Sequence, residues 1–327
     1  MIKVLVTGPS GDVGRGVIEC LTESSIDIEV YKLADSWEGF VVHSDPFSHI
    51  GPHITADNYV EYLCQFINEH HIDLMIPCID AEIPIISRHR ADIEYSTGAL
   101  IFAGSPQQAE ICDDKFQTSE FLKQGGFTYP ETRLFQRQSA CDLSYPFVLK
   151  SRRGHGSKDV YLINNETDLS TVSDANEEWM IQEYLQGDEF TAGIYRADDG
   201  EVKGSCIFQR KLRNGSTWSA KRIIDDEMDK HLHQMAHALG LKYVNIQFRL
   251  KNGVPCPFEF NGRFSGTTGM MKHVFNAPEM LVRELVQGEQ IQRVENNVPF
   301  HVLRTHQEHH IVQKDLDDFL VRNNLHD

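Results

Sequence analysis

The sequence predicts an α/β protein in which a Rossmann-like domain with a parallel sheet precedes two α+β subdomains with antiparallel sheets. Two patterns carry this prediction. Over residues 1–105, short apolar runs alternate with segments of helical periodicity, which is typical of a doubly wound parallel sheet. After residue 113, strands follow one another with Asp-Asp-Gly at 198–200 and Asn-Gly at 214–215 as turn signals, which favours antiparallel pairing.

In the first region, each element follows from the spacing of its apolar residues. The run over residues 2–6 predicts a strand that ends at Thr7-Gly8, and Val13, Val17 and Leu21 then recur at helical spacing. The same reasoning predicts strands over 26–33, 74–79 and 100–103, and helices over 58–69 and 83–90.

The second region contains more strands than helices. A helix over 113–125 is stopped by two glycines, and Lys-Asn-Gly at 251–253 predicts a hairpin between the last two strands. The predicted elements are a second helix over 227–239 and strands over 146–150, 160–163, 179–184, 190–195, 202–209, 243–250 and 256–260.

Length and charge exclude several classes of protein. At about 150 residues per domain, a chain of 327 residues is expected to form two domains. Its 31 Lys and Arg against 48 Asp and Glu give a net charge of −17, which argues against a surface that grips nucleic acid or an anionic membrane. No apolar run approaches the roughly 20 residues of a membrane span.

The cysteines indicate a reducing compartment. The seven cysteines lie far apart and form no C-x-x-C motif, so neither a zinc knuckle nor a redox pair is indicated. Residues 1–14 reach a glycine turn too early for a signal peptide. We therefore expect a cytoplasmic protein.

The first glycine loop has two interpretations. Gly8, Gly11 and Gly14 follow a strand and open a helix, the context in which backbone N–H groups bind an anion, and Asp35 ends the next strand as a ribose-binding acid would. The spacing resembles that of NAD-dependent dehydrogenases, yet no tyrosine here has the lysine four residues later that their catalysis needs. The other interpretation is that these glycines only allow a tight turn.

The second half supplies the groups that magnesium ATP requires. Lys150 ends a strand beside a basic, glycine-containing loop over 151–158, and Lys115 is a second cation suited to a triphosphate. The loop over 181–189 joins two strands and could present backbone groups to adenine and Glu189 to ribose. Both features are also compatible with ordinary solvated loops.

A group of oxygen-bearing residues follows near residue 260. Glu259 and Asn261 are two positions apart on a predicted strand and therefore share a face, with Gln247 on the neighbouring strand. Such side chains suit magnesium, which is bound by few carboxylates and keeps several waters. A structural ion pair of Glu259 with Arg263 is the alternative.

Five segments in order carry a resemblance to the ATP-grasp superfamily, and in particular to carbamoyl phosphate synthetase large-subunit-like and carboxylate-amine ligase proteins. The segments are Pro146-Phe-Val-Leu-Lys150, Gly154-His-Gly-Ser157, Ile181-Gln-Glu-Tyr-Leu-Gln-Gly-Asp-Glu189, Asn245-Ile-Gln247 and Glu259-Phe-Asn-Gly-Arg263-Phe-Ser-Gly266. The resemblance implies a Rossmann-like domain over 1–108, a small lid subdomain over 109–185 and a large subdomain with a C-terminal tail over 186–327.

The resemblance also implies roles at matching positions. Lys115, Lys150 and Lys221 would contact the phosphates of ATP, and Arg263 would stabilise the transferring phosphoryl group, so that Arg263, Lys150 and Lys221 form the catalytic set. The lid residues that would bind the nucleotide are His155, Gly156 and Ser157.

The remaining roles concern the nucleoside and the metal. Gln182 through its side chain, and Glu183 and Leu185 through their backbones, would contact adenine, while Glu189 would bind ribose. The residues that would hold Mg²⁺, or Mn²⁺ in its place, are Gln247, Glu259 and Asn261.

The activity implied is ATP-dependent ligation: a carboxylate is activated as an acyl phosphate and captured by an amine or a thiol, with release of ADP and phosphate. The alternatives are an ATP-binding regulatory module or subunit without turnover, and a kinase of a small molecule. The expected partners are small carboxylate and amine substrates, with a homodimer as the default assembly. Arg210, Lys211, Arg213 and Arg222 cluster in sequence and could hold the carboxylate.

Overall fold

The structure is a computed structural model, and it describes residues 1–39, 46–136, 144–154, 159–172, 175–176, 178–305 and 310–323. It divides into two compact units. The first unit comprises Met1–Pro106, Arg263–Asn296 and Leu303–Asp327, and the second comprises Gln107–Gly262 and Asn297–Val302. The predicted combination of a parallel sheet with antiparallel sheets is confirmed.

The elements are numbered in chain order over the described residues. The strands are β1 (Ile2–Thr7), β2 (Ile28–Ala34), β3 (Ser48–Ile50), β4 (Leu74–Ile76), β5 (Leu100–Ile101), β6 (Thr132–Leu134), β7 (Phe147–Ser151), β8 (Val160–Ile163), β9 (Trp179–Glu183), β10 (Glu189–Arg196), β11 (Val202–Arg213), β12 (Ser216–Ile223), β13 (Tyr243–Lys251), β14 (Val254–Asn261) and β15 (His301–Leu303). The α-helices are α1 (Asp12–Thr22), α2 (Tyr59–His70), α3 (Ile83–Thr97), α4 (Pro106–Asp113), α5 (Lys115–Gln124), α6 (Glu166–Thr171), α7 (Asp226–Leu239), α8 (Thr268–Met271), α9 (Ala277–Leu285) and α10 (Gln313–Arg322).

The first unit contains a parallel sheet with the strand order β3-β2-β1-β4-β5. The order reverses between β1 and β4, which is the switch point at which doubly wound sheets bind ligands. A buried carboxylate lies at this point: Glu82 accepts hydrogen bonds from Thr7 Oγ1 at 2.6 Å and from Tyr59 OH at 2.5 Å. Burial raises the pKa of Glu82 to about 7.

The second unit contains two sheets. One has the order β14-β13-β10-β11-β12-β15, and the other has the order β6-β9-β7-β8 with antiparallel pairing throughout. The predicted hairpin at 251–253 joins β13 and β14. Among the described residues, no helix is both long and apolar enough to cross a membrane.

Strand alternation decides which face of each sheet of the second unit is apolar. On β10 and β13, residues such as Phe190, Ala192, Ile246 and Phe248 pack with helix α7 in one hydrophobic core. On β7, Phe147 and Leu149 belong to a separate core. The intervening residues of these strands include Lys150, Glu189 and Gln247, which face the candidate site.

Candidate functional site

A cavity of about 210 Å³ lies in the second unit and takes side chains from both of its sheets. Most of the side chains that line it are polar or charged. They are Lys115, Val148, Lys150, Ser151, Arg153, Gly154, Val160, Gln182, Glu183, Tyr184, Leu185, Glu189, Arg210, Leu212, Gly215, Gln247, Arg249, Phe258 and Glu259. Five cationic residues face three carboxylates there, in a chain whose net charge is −17.

Lys150 enters the cavity because β7 alternates. Phe147 and Leu149 are turned into the hydrophobic core, so Val148 and Lys150 face the cavity. Lys150 is only 5% exposed, and its Nζ lies 5.6 Å from the ring centroid of Phe258. Burial, followed by the positive charge of Lys115, lowers the pKa of Lys150 to about 7, against the opposing pull of Glu259 and Glu189.

Lys115 is the first residue of α5 and is also buried. Its neighbour Asp114 caps the helix by accepting from Phe116 N at 2.9 Å, and Arg152 pairs with the same carboxylate. Lys115 Nζ donates to the carbonyl oxygen of Gly154 at 2.7 Å. Within the described residues, neither Lys115 nor Lys150 forms an ion pair with a carboxylate. The positive charge of the two ammonium groups is therefore available to an anion that binds in the cavity.

A network of charged side chains forms another part of the wall. Glu189 accepts from Arg210 Nη2 at 2.7 Å and from Arg249 Nη2 at 3.3 Å. Arg210 Nη2 also donates to Gln247 Oε1 at 2.6 Å. Glu189 and Arg210 are direct cross-strand partners, whereas Gln247 lies on β13, on the far side of β10 from Arg210.

Gln247, Glu259 and Asn261 share the polar face of the β13–β14 hairpin, as predicted. Gln247 pairs with Glu259 in register, and Asn245 pairs with Asn261. Among described residues, the Glu259 carboxylate accepts no hydrogen bond. Asn261 is 8% exposed, and its Nδ2 donates to Asn245 Oδ1 at 3.4 Å, which leaves its own Oδ1 as an acceptor.

A β-bulge in this hairpin places two consecutive side chains in the cavity. The register shifts between Gln247 and Phe248, so that Phe258 has no direct partner on β13. A regular strand would turn Phe258 away from Glu259, but both line the cavity. The bulge therefore brings the aromatic ring under the Lys150 ammonium.

The predicted adenine segment forms the end of β9 and the loop that follows it. Gln182 is buried, and its Nε2 donates to Thr132 Oγ1 at 3.0 Å. The backbone N–H of Glu183 donates to Glu131, and its carboxylate accepts from Lys251 Nζ at 2.6 Å. The carbonyl oxygen of Leu185 accepts from Arg249 Nη1 at 2.9 Å.

The structure thus brings most of the predicted site residues together. The predicted residues that line the cavity are Lys115, Lys150, Gln182, Glu183, Leu185, Glu189, Gln247 and Glu259. Asn261 is buried beside Asn245, on the same strand as Glu259. Lys221 is an exposed residue of β12, outside the described lining.

Other predicted residues lie elsewhere. Arg263 belongs to the first unit, where it forms a two-point ion pair with Asp80, at 2.6 Å through Nε. His155, Gly156 and Ser157 fall outside the described residues.

The basic cluster expected at 210–222 does not form one carboxylate site. Arg210 lines the cavity, but Arg222 is buried, donates to the Val298 carbonyl at 2.9 Å and lies 5.7 Å from the Phe300 ring. Lys211 and Arg213 are exposed, and Arg213 lies 4.7 Å from the Trp218 ring.

Sequence reasoning missed several lining residues, among them Arg249, Tyr184 and Phe258. Arg249 follows Gln247 by two positions on β13, so the alternation that placed Gln247 could have placed it as well. Tyr184 lies under the Arg249 guanidinium at 5.9 Å. Phe258 depends on the bulge, which the neighbouring Pro257 could have indicated, since prolines within sheets occur at edges and bulges.

In the first unit, the glycine loop is explained by close packing. A Cβ on Gly14 would lie 2.3 Å from the Gly8 carbonyl oxygen, and one on Gly16 would lie 3.0 Å from Gly269 N. Gly8 has a φ of +58°, in the left-handed region. Asp12, at the start of α1, pairs with Arg304. These observations favour the tight-turn interpretation of the loop.

Comparison with known proteins shows that the chain shares its fold with solved structures. The family described as "ATP-grasp in the biosynthetic pathway with Ter operon" matches residues 175–308. N5-carboxyaminoimidazole synthetase from Staphylococcus aureus complexed with ADP superposes with a TM-score of 0.72 at 16% identity, over 99% of this chain and 85% of that one. The family match covers less than half of the chain, and the superposition shows a shared fold. The fold is also similar to that of L-amino acid ligase from Bacillus licheniformis, with a TM-score of 0.67 at 16% identity, over 88% of this chain and 74% of that one.

Among curated proteins, this chain is 21% identical over 150 residues to carbamoyl-phosphate synthase from Methanobrevibacter smithii. That match covers 44% of this chain and 41% of the relative. The chain therefore spans less than half of the length of that relative.

Proposed function

We propose that the protein is an ATP-dependent ligase that activates a carboxylate as an acyl phosphate, which an amine or a thiol then captures to release ADP and phosphate. One observation carries the proposal: two buried lysines, Lys150 and Lys115, line one cavity without a carboxylate partner among the described residues. Buried cations require an anion, and a triphosphate supplies it. The ATP-grasp fold is consistent with this ligand.

The rest of the cavity suits the other parts of a nucleotide. We assign adenine to the end of β9, at Gln182, Glu183 and Leu185, and ribose to Glu189. Ribose hydroxyls would then share this carboxylate with Arg210 and Arg249, which already donate to it. Lid residues His155, Gly156 and Ser157 and the exposed Lys221 keep their predicted roles as proposals.

The oxygen atoms near Glu259 fit a divalent ion. Glu259 has no hydrogen-bonding partner within the described residues, and Asn261 offers its Oδ1 on the same strand. Over those residues, no group of three or more His, Cys, Asp or Glu side chains could hold a metal alone. Mg²⁺ or Mn²⁺ would therefore need phosphate oxygens to complete its ligand set, as is usual for magnesium with nucleotides. The bound ion would neutralise charge on the phosphates.

The chemistry required of the protein is positioning and charge neutralisation. Lys150 and Lys115 would hold the phosphates, and Arg263 would stabilise the phosphoryl group as it moves to the carboxylate. Exclusion of water protects an acyl phosphate from hydrolysis, which suits a partly closed cavity.

The test is a coupled ADP-release assay over a panel of carboxylates, each paired with amines and thiols, with products identified by mass spectrometry. We expect ADP release that depends on both substrates, together with an amide or thioester product. ATP binding without turnover in any pairing would instead support the regulatory module. A phosphorylated product with no amide would support the kinase.

Two further predictions remain proposals. A cytoplasmic location is supported by six free cysteines among the described residues. A homodimer is testable by sedimentation.

A further inference from the structure

Arg210 occupies an unusual position within the cavity. It lies on β11, but its guanidinium reaches across β10 to Gln247 on β13, at 2.6 Å from Oε1. The same guanidinium makes a two-point contact with Glu189, at 3.1 Å from Nε and 2.7 Å from Nη2. Arg210 is 10% exposed and Glu189 is 17% exposed, so this pair is shielded from solvent.

The contact with Arg210 makes Gln247 a poor ligand for a metal ion. Gln247 is the cross-strand partner of Glu259, so its side-chain oxygen faces the same region as the candidate metal-binding carboxylate. A divalent ion at Gln247 Oε1 would lie beside a fixed positive charge, and the two cations would repel each other. Because Glu189 holds Arg210 in place, moving Arg210 away would leave a shielded carboxylate with less compensation.

We propose that Arg210 is a resident cation of the cavity, which takes Gln247 out of the metal-binding set and limits the nucleotide complex to one divalent ion, at Glu259 and Asn261. This rests on the proposed nucleotide function. Arg210 acts as a positioning residue: it holds Gln247 and Glu189 and supplies positive charge where a second ion would otherwise add it.

The side chains around Arg210 support this role. Lys115 and Lys150 add further amino groups to the same cavity. Of the three carboxylates that line it, Glu259 is the one with no hydrogen-bonding partner among the described residues. Glu183 is already paired with Lys251. The cavity therefore offers uncompensated negative charge for one ion.

The test is equilibrium binding of Mn²⁺ to the full chain in the presence of saturating AMP-PNP. The EPR signal of the free ion measures how much Mn²⁺ remains unbound. We expect the wild type to bind one Mn²⁺ per chain. Gln247→Glu should still bind one, because Arg210 neutralises the new carboxylate. The double variant Arg210→Gln/Gln247→Glu should bind a second Mn²⁺, with an affinity at least about tenfold higher than any residual affinity of Gln247→Glu for a second ion.

Arg249 provides the matched control. It shares the Glu189 carboxylate with Arg210, but its other hydrogen bond goes to the Leu185 carbonyl instead of Gln247. Arg249→Gln/Gln247→Glu removes one cation from the same cavity and should still bind one Mn²⁺. Gain of a second ion in this control would overturn the proposal, because any loss of charge would then suffice.

Two results in the simpler proteins would also overturn it: two Mn²⁺ of similar affinity in the wild type, or a second tight ion in Gln247→Glu alone. Gln247→Glu is nearly isosteric, so it carries the test even where a double variant does not fold. If the wild type binds AMP-PNP normally together with two Mn²⁺ ions, only the proposed role of Arg210 is wrong. Failure of the wild type to bind AMP-PNP would end the proposed function as well.

Discussion

The Lys150 ammonium lies 5.6 Å from the centroid of the Phe258 ring, in a cavity where the described residues give it no carboxylate partner. The ring face offers a weak electrostatic attraction that does not replace the lost hydration. The protein therefore maintains a costly buried cation next to Lys115, and binding of an anion would offset that cost.

The first prediction concerns stability without nucleotide. Lys150→Met removes the buried ammonium and keeps most of the packing, so at pH 6 it should raise the free energy of unfolding by about 1–3 kcal/mol. The wild-type lysine has a pKa of about 7 when folded and 10.5 ordinarily. The unfolded chain therefore binds more protons between these values, and wild-type stability rises with pH over that window. Urea unfolding at pH 6 and pH 9 checks this, and a gain that does not shrink at pH 9 would contradict it.

The second prediction concerns proton uptake on binding. A bound triphosphate favours the charged form of Lys150, so its pKa rises and, at pH 8, binding should take up about one proton. Affinity should fall as pH rises above 7. Calorimetry in buffers with different enthalpies of ionisation measures this number directly. Lys150→Met serves as the control and should show no uptake; equal uptake in both proteins would exclude Lys150 as the source.

The third prediction separates metal from nucleotide at Glu259. Glu259→Gln should weaken binding of ATP in the presence of Mg²⁺ by about 10- to 100-fold, since a charge-assisted contact contributes about 1.5–3 kcal/mol. Without metal, the same change should leave ATP affinity unchanged or higher, because it removes a negative charge near the phosphates. Fluorescence titration with and without Mg²⁺ measures both.

The matched control for this effect is Glu183→Gln. Glu183 also lines the cavity, but its carboxylate is paired with Lys251. The effect of Glu183→Gln on the affinity for ATP should be the same with and without Mg²⁺. Equal metal dependence in the two variants would show that Glu259 is not a specific metal ligand.

The fourth prediction concerns Arg263. If Arg263 acts on the transferring phosphoryl group, Arg263→Lys should lower kcat by about 100-fold or more while changing the Kd for ATP by less than about threefold. A lysine keeps the charge but loses the two-point geometry that Asp80 holds in the first unit. Single-turnover kinetics together with a binding titration separates the two constants. A matching loss in Kd would assign Arg263 to ground-state binding instead.

The fifth prediction tests the packing of the glycine loop. Gly14→Ala places a Cβ 2.3 Å from the Gly8 carbonyl oxygen and should destabilise the protein by about 1–3 kcal/mol. Gly11→Ala is the control, since its Cβ would lie 3.6 Å from the same oxygen, an ordinary contact. Thermal unfolding should show less than half the loss in the control; similar losses would contradict the packing explanation.

Much of this arrangement could be predicted from local patterns. Alternation along β13 and β14 placed Gln247, Glu259 and Asn261 on one face, and the register of the hairpin confirms it. The alternation of apolar and helical segments indicated the parallel sheet, although β3 was missed because Ser48-His49-Ile50 contains only one apolar residue. Such features depend on neighbours in sequence, which the sequence displays directly.

The remaining features depend on distant parts of the chain. The bulge at Phe258 places this side chain on the face opposite to the one that strict alternation predicts. It results from a shift in the register between β13 and β14. The bridge from Arg210 to Gln247 joins residues 37 positions apart. Arg263 follows β14 directly in sequence yet groups with the first unit. Tertiary packing sets each of these.

The most direct test of the central claim is the equilibrium affinity of ATP in the presence of Mg²⁺, measured by calorimetry at pH 7 on the wild type and on Lys150→Met, with circular dichroism to verify that both are folded. We predict saturable one-to-one binding to the wild type and a loss of about tenfold or more in Lys150→Met. Absence of binding to the wild type, or equal affinity in a folded Lys150→Met, would contradict the assignment of this cavity to a nucleotide.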